Sequence, residues 1–126
     1  MKTMFLLLSL LFTNTFMLTA QNPQQSKSLR HVVLFKFKDS STAQDVDKVI
    51  AAFEALPKQI SQIKAFEWGL NNSPENLNDG LTHAFLLTFS SEKDRDDYLV
   101  HPEHKKFGGI VGPHLEKVVV VDYWIK

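Results

Sequence analysis

A phenol and two imidazoles lie within seven positions of this chain, at Tyr98, His101 and His104. An imidazole titrates near neutral pH, and a phenol donates or accepts a hydrogen bond. Such a set can move a proton on a small molecule without a metal ion or a cofactor. The segment therefore predicts a site for acid–base chemistry in which no cofactor takes part.

Pro102 decides whether these groups converge. In one straight helix, the six steps from Tyr98 to His104 leave the two side chains far apart around the axis. Proline is favoured at the first position of a helix, and His101 is well placed to cap that helix. We therefore expect a break at Pro102 that re-aims His104. The alternative is that Tyr98 is a core residue and that the histidines are surface or capping groups.

The rest of the chain alternates between strand and helix patterns. Apolar runs and alternation predict four strands, at Leu29 to Lys38, Ile63 to Leu70, Leu81 to Ser90 and Glu116 to Ile125. A capping box of Ser41 and Gln44 predicts the start of a first helix that ends at Pro57, and Ser91 is predicted to cap a second. The run of four valines in the last strand predicts burial on both of its faces. This order of elements is that of an α+β ferredoxin-like fold, with an antiparallel sheet and both helices on one face.

Alternation places His31 and His83 on the apolar faces of the first and third strands. Each opens its strand, and His83 shares its face with bulky residues such as Phe85. Lone histidines on such faces are usually core groups. If the helices cover this face, however, both can point toward the phenol and imidazole of the second helical region. We therefore expect one pocket with four polar groups, and with Phe53 and Phe85 as apolar ligand contacts.

Composition limits the partners that such a pocket could serve. The chain has 126 residues, 44% of them hydrophobic, with 14 basic and 14 acidic side chains, which is typical of one compact domain without a basic surface. Nucleic acid is therefore not an expected partner. The absence of cysteine excludes disulfides, thiolate catalysis and cysteine-ligated zinc. A metal site made by the three histidines His31, His83 and His104 is the least favoured interpretation, because no carboxylate lies at a matching spacing.

The N-terminal region has the pattern of a secretory signal peptide. Met1-Lys2 supplies a positive end, Met4 to Phe12 an apolar run, and Thr19-Ala20 small residues for cleavage. A membrane anchor is the alternative, but the apolar run is too short to span a bilayer. The mature protein is therefore expected in the periplasm or outside the cell, without a membrane attachment. Three segments follow: a signal peptide at 1–20, a flexible leader at 21–28 and one domain at 29–126.

Two helices on one face of the sheet leave the other face open. An apolar face of that size is more than a soluble monomer usually exposes. Face-to-face packing of two copies would cover it. We therefore predict a homodimer.

Five short stretches between Leu29 and Tyr123 form a combined pattern. They are Arg30–Phe37, Trp68-Gly69, Thr82-His83, Tyr98–His104 and Val121–Tyr123. Together they resemble the stress-responsive A/B barrel (Dabb) domains. The resemblance implies a dimeric α+β barrel.

The resemblance also implies roles for individual residues. One plant member of that family closes a linear polyketide by aldol condensation without a cofactor, and its active-site residues are similar to His31, His83, Tyr98 and His104. By that likeness, His104 is the general base and Tyr98 is the phenol that binds the substrate oxygen. A tyrosine that lines the pocket of that member is matched here by Phe53, so one hydroxyl is lost.

Two functions therefore stay open. The first is a homodimeric ligand-binding or stress-related protein whose pocket holds a small apolar or aromatic molecule. It leads because the same four residues belong to the wider family pattern, which supports a pocket better than it supports one reaction. The second is a cofactor-free lyase or polyketide-cyclase-like enzyme, in which His104 takes a proton next to a carbonyl.

Overall fold

The computed structural model describes residues 27–126. The predicted signal peptide at 1–20 and residues 21–26 of the predicted leader lie outside the described residues. The elements are β1 (Leu29–Phe37), α1 (Ala43–Gln59), β2 (Ala65–Leu70), β3 (His83–Phe89), α2 (Glu92–Val100), α3 (Pro102–Val111), a 3₁₀ turn (Gly112–His114) and β4 (Leu115–Trp124). Among residues 27–126, no helix is both long enough and apolar enough to cross a membrane.

The four strands form one antiparallel sheet in the order β2-β3-β1-β4. With helices after β1 and β3, this is the predicted ferredoxin-like α+β fold. The alternation read from the sequence decides which side of the sheet faces inward. Leu29, His31, Val33 and Phe35 of β1 are buried, whereas the residues that alternate with them are partly exposed.

The helices cover the face of the sheet that carries these buried residues. α1 presents an apolar stripe of Val49, Ile50, Phe53 and Leu56, at the spacing of one helix face, and all four are buried. Phe53 lies at the centre of the core, with its ring centroid 4.5 Å from that of Phe85 and 4.4 Å from that of Phe107. Burial of this aromatic cluster fixes α1 and α3 against the sheet.

Both predicted ends of α1 are wrong. The N-cap is Thr42, whose hydroxyl accepts a hydrogen bond from the Asp45 N–H, while the Asp45 carboxylate accepts from the Thr42 N–H. Ser41 lies outside the helix, and its hydroxyl hydrogen-bonds His114 Nδ1 at 2.9 Å. Pro57 does not end the helix, which continues to Gln59. A proline close to a helix end removes only one of the last intrahelical hydrogen bonds, so the helix can continue past it.

The predicted break at Pro102 is confirmed. α2 ends at Val100, and α3 begins at Pro102, which occupies the first helical turn. His101 is the N-cap, and its Nδ1 accepts a hydrogen bond from the Glu103 N–H at 3.1 Å. The break separates α2, which carries Tyr98, from α3, which carries His104.

The prediction that the valine run of β4 is buried on both faces is wrong for the described chain. Val118, Val120 and Val121 are 49%, 51% and 53% exposed. β4 is an edge strand that pairs only with β1. An apolar run in the sequence does not show whether the strand lies at the centre or at the edge of its sheet.

Candidate active site

A cavity of about 290 Å³ lies between the sheet and the helical layer. A cavity of about 150 Å³ is enough to hold benzene, so this one has room for a substituted or fused aromatic ring. Its lining is largely apolar, with polar groups from β1, α2, α3 and β4. The lining residues are His31, Val33, Phe35, Phe53, Tyr98, Leu99, His104, Phe107, Gly108, Val111, Leu115, Val118, Val120 and Asp122.

Tyr98 stands between two imidazoles on the cavity wall. Its ring centroid lies 4.3 Å from that of His104 and 5.7 Å from that of His31. Only 1% of Tyr98 is exposed, and its hydroxyl makes no hydrogen bond to residues 27–126. In that range every fully buried side-chain nitrogen or oxygen has a hydrogen-bond partner, so the unpaired hydroxyl must open on the cavity. Burial, with a smaller contribution from Asp122, raises the pKa of Tyr98 well above its ordinary value, so the phenol remains a neutral donor.

His104 is held in one tautomer by the end of α2. Its Nδ1 lies 3.1 Å from the carbonyl oxygen of Leu99. A carbonyl only accepts, so Nδ1 carries the proton and Nε2 keeps a lone pair. Burial lowers the pKa of His104, and the nearby His31 and His101 lower it further against the opposing effect of the Leu99 carbonyl. His104 is therefore an uncharged base at neutral pH.

His31 is oriented by a chain of hydrogen bonds through Asp122 of β4 to Arg95 of α2. Its Nδ1 lies 2.6 Å from Asp122 Oδ1, and Asp122 Oδ2 lies 2.9 Å from Arg95 Nη1. Antiparallel pairing of β1 and β4 places His31 opposite Asp122, and Arg95 comes from α2. The carboxylate fixes the proton on Nδ1, which leaves Nε2 of His31 without a described protein partner and directed to the cavity.

The structure brings together Tyr98, His104 and His31 but not His83. β1 and β3 are antiparallel, so His83 pairs with Phe35 at the far end of β1, whereas His31 pairs with Leu87. Four positions along a strand separate the two sites by about 13 Å.

His83 instead packs among aromatic rings away from the cavity. Its ring centroid lies 5.0 Å from that of Phe37 and 6.1 Å from that of Trp68. Burial lowers the pKa of His83. Phe85 is also outside the cavity lining. Its ring packs against that of Phe53, which does line the cavity.

Sequence reasoning missed Asp122 and Arg95. Asp122 was visible only as part of the stretch Val121–Tyr123, and Arg95 stood in a run of alternating charges on α2 that is typical of a solvated face. One signal was available: Asp122 directly follows the valine run of the last strand, and a carboxylate on a sheet face needs a cationic or hydrogen-bonding partner.

The described residues 27–126 contain no group of three or more histidine, aspartate or glutamate side chains placed to hold a metal ion. A neutral imidazole base lies next to a neutral phenol donor, with an oriented second imidazole, at one side of an apolar cavity. Such a set can bind a carbonyl oxygen and take a proton from the adjacent carbon.

Comparison with known proteins identifies the family. The model of the Stress Responsive A/B Barrel Domain matches residues 29–125. The chain belongs to the stress-responsive A/B barrel family. This confirms the resemblance that the five sequence stretches indicated.

Two plant proteins are similar over most of the domain. The stress-response A/B barrel domain-containing protein HS1 of Arabidopsis thaliana is 39% identical over 95 residues, which cover 75% of this chain and 87% of that protein. Olivetolic acid cyclase of Cannabis sativa is 30% identical over 96 residues, which cover 76% of this chain and 95% of the cyclase. One relative of this chain is therefore a protein named for a cyclisation reaction.

Two solved structures have the same fold. Hydroxynitrile lyase from Passiflora edulis is 30% identical with a TM-score of 0.76, covering 80% of this chain and 95% of the lyase. A dimeric protein of ferredoxin-like fold from Bacteroides fragilis is 33% identical with a TM-score of 0.64, covering 78% of this chain and 96% of that chain. The predicted fold is confirmed, and a structural relative of this chain is dimeric.

Proposed function

We propose that this protein binds a small, largely apolar carbonyl compound in the cavity, with the carbonyl oxygen on the Tyr98 hydroxyl. One observation carries the proposal: Tyr98 is buried, yet its hydroxyl has no partner among the described residues and opens on an apolar cavity. An unpaired donor that faces an apolar cavity is costly unless a ligand or water satisfies it. A ligand with one oxygen and an apolar body matches both parts of the lining.

A pair of matched ligands tests this proposal. Acetophenone and α-methylstyrene have nearly the same shape, but the second has a CH₂ group in place of the carbonyl oxygen. We expect acetophenone to bind about tenfold more tightly, the difference that one hydrogen bond makes. Calorimetric titration of the full mature protein measures both affinities. Equal affinities would contradict the proposed hydrogen bond between the Tyr98 hydroxyl and the carbonyl oxygen of the ligand.

A second candidate function is cofactor-independent proton transfer on the same class of ligand. The observation that favours it is the tautomer of His104, whose Nδ1–H is engaged by the Leu99 carbonyl while Nε2 keeps its lone pair. In this reaction Nε2 takes a proton from the carbon next to the carbonyl, and Tyr98 hydrogen-bonds the enolate oxygen. The proton on Nε2 exchanges with water, and His104 then delivers a proton from this pool to the same carbon, so that water is the only other reactant. The cyclase and the lyase among the relatives are consistent with chemistry at carbonyl compounds in this fold.

Deuterium uptake from D₂O into the methyl group of acetophenone, followed by proton NMR, tests this reaction. Replacing His104 by Gln should slow the exchange at least about a hundredfold, which is the contribution of a positioned base. His101→Asn is the matched control, because it removes the neighbouring imidazole and retains an N-cap acceptor for α3. Exchange no faster with the wild-type protein than without it would leave binding as the function.

The proposed assembly is a homodimer that covers the helix-free face of the sheet. On that face Val121 and Tyr123 of β4 are 53% and 47% exposed. Exposed apolar side chains on an edge strand favour association with a second copy. The dimeric relative from Bacteroides fragilis supports self-association.

The proposed location is the periplasm or the cell exterior, after removal of residues 1–20. The support is the signal-like pattern of that segment. Mass spectrometry of the protein from its native cells tests it. A mature chain that begins at Gln21 would agree, and an intact chain from Met1 would overturn it.

A further inference from the structure

Gly108 interrupts the inner face of α3 beside the cavity. Residues three and four positions apart share one face of a helix, so Gly108 lies on the same face as His104 and Val111. All three line the cavity, as does Phe107. The next residue, Gly109, is in the same helix but does not line the cavity.

The backbone supplies no reason for glycine at position 108. Gly108 lies inside regular helix, and its φ is not positive, in contrast to that of Gly80. A Cβ built at Gly108 meets no atom within 4 Å, so no close approach requires the missing side chain. Glycine also destabilises a helix interior relative to alanine. The remaining consequence of glycine here is open space at the cavity.

Exposure divides the cavity lining into a floor and a rim. Floor residues such as Phe35, Phe53 and Tyr98 are almost fully buried. The exposed lining residues form the rim: Leu99 at 41%, Val118 at 49%, Val120 at 51%, and Gly108. The opening of the cavity therefore lies at these exposed parts of α2, α3 and β4, and Gly108 is the rim position without a side chain.

We propose that Gly108 sets the size of the ligand that the cavity admits. The inference rests on the proposed binding function and adds a specificity-determining position to it. A single-ring ketone fits over the floor without reaching the rim, whereas a fused-ring ketone extends past Gly108. A side chain at position 108 occupies the space that the second ring needs.

Binding of acetophenone and of the larger 2-acetonaphthone to the full mature protein tests this inference. Gly108→Leu should weaken 2-acetonaphthone binding about tenfold or more, the usual effect of overfilling a packed site, and change acetophenone binding by less than about threefold. Gly109→Leu is the matched control, because it makes the same exchange in the same helix one position away from the lining. It should leave both affinities unchanged.

The outcomes separate this inference from the proposed function. If the wild-type protein binds neither ketone, the proposed function fails, and this inference fails with it. If the wild-type protein binds both and the two leucine variants behave alike, only the inference fails. Gly108→Ala and Gly109→Ala provide a second pair in case a leucine variant does not fold. Both should raise the melting temperature, but only Gly108→Ala should reduce the preference for the larger ketone, and equal preferences would overturn the inference.

Discussion

Replacing Asp122 by Asn tests whether the Arg95–Asp122–His31 chain stabilises the site as its geometry indicates. The exchange keeps the shape of the side chain and removes its charge. Asn can still accept from His31 Nδ1–H, but its NH₂ group then faces Arg95, and two donors meet. A charge-assisted hydrogen bond contributes about 1.5–3 kcal/mol. Both Arg95 and Asp122 are about one-fifth exposed, and solvent screening reduces that figure to a net loss of about 1–2 kcal/mol.

The assay is thermal unfolding at neutral pH and fixed protein concentration, because a dimer unfolds at a concentration-dependent temperature. For a domain of this size, the loss corresponds to a fall of about 5–10 °C in melting temperature. Asp96→Asn is the matched control: Asp96 also pairs with Arg95, at 3.0 Å, but its side chain is 63% exposed. We expect that variant to shift stability by less than about 0.5 kcal/mol. Equal melting temperatures for the two variants would refute the reasoning.

Three further predictions concern pH, assembly and the core. Burial lowers the pKa of both His83 and His104, so the unfolded chain takes up protons first as the pH falls. Stability should be nearly constant between about pH 7.5 and 9 and should fall below about pH 6.5. Urea unfolding that shows rising stability toward acid pH would contradict this. Val121→Asp should convert the dimer to a monomer by light scattering, and an unchanged dimer mass would exclude the helix-free face as the interface. Phe53→Ala should cost about 3–5 kcal/mol and Phe66→Ala, which is only half-buried, clearly less; similar urea midpoints would contradict the central place of Phe53.

The sequence predictions that the structure confirms depend on residues that are close together in the chain. The start of α3 follows from proline at the first helical position and a capping residue before it, and both are adjacent in the chain at His101 and Pro102. The inward face of β1 follows from alternation alone. The fold follows from the order of the elements. These features depend on neighbours in sequence, so one chain is enough to predict them.

The alternation pattern could not predict which end of the sheet each strand histidine occupies. Alternation places His31 and His83 on the correct face, and it says nothing about which end of the sheet each occupies. Because β1 and β3 run in opposite directions, two residues that each open a strand lie at opposite ends. The expectation that four polar groups converge in one pocket did not take this antiparallel arrangement into account.

The support for His31 depended on contacts between distant parts of the chain. Asp122 reaches His31 through the register of β1 and β4, and Arg95 reaches Asp122 through the rotation of α2. Register and helix rotation are set by packing over the whole domain. The predicted N-cap of α1 was wrong for a different reason. Ser41 and Thr42 are both good N-cap residues, and the sequence does not show that the Ser41 hydroxyl hydrogen-bonds His114 instead.

The affinities of acetophenone and α-methylstyrene for the wild-type protein and for Tyr98→Phe test the central claim most directly. The Tyr98 hydroxyl has no partner in the described part of the chain, so its removal should change stability by less than about 0.5 kcal/mol. It should weaken ketone binding about tenfold and leave alkene binding unchanged, so that the two ligands bind alike. A variant that loses stability while it keeps the preference for the ketone would contradict the claim that this hydroxyl binds the ligand oxygen.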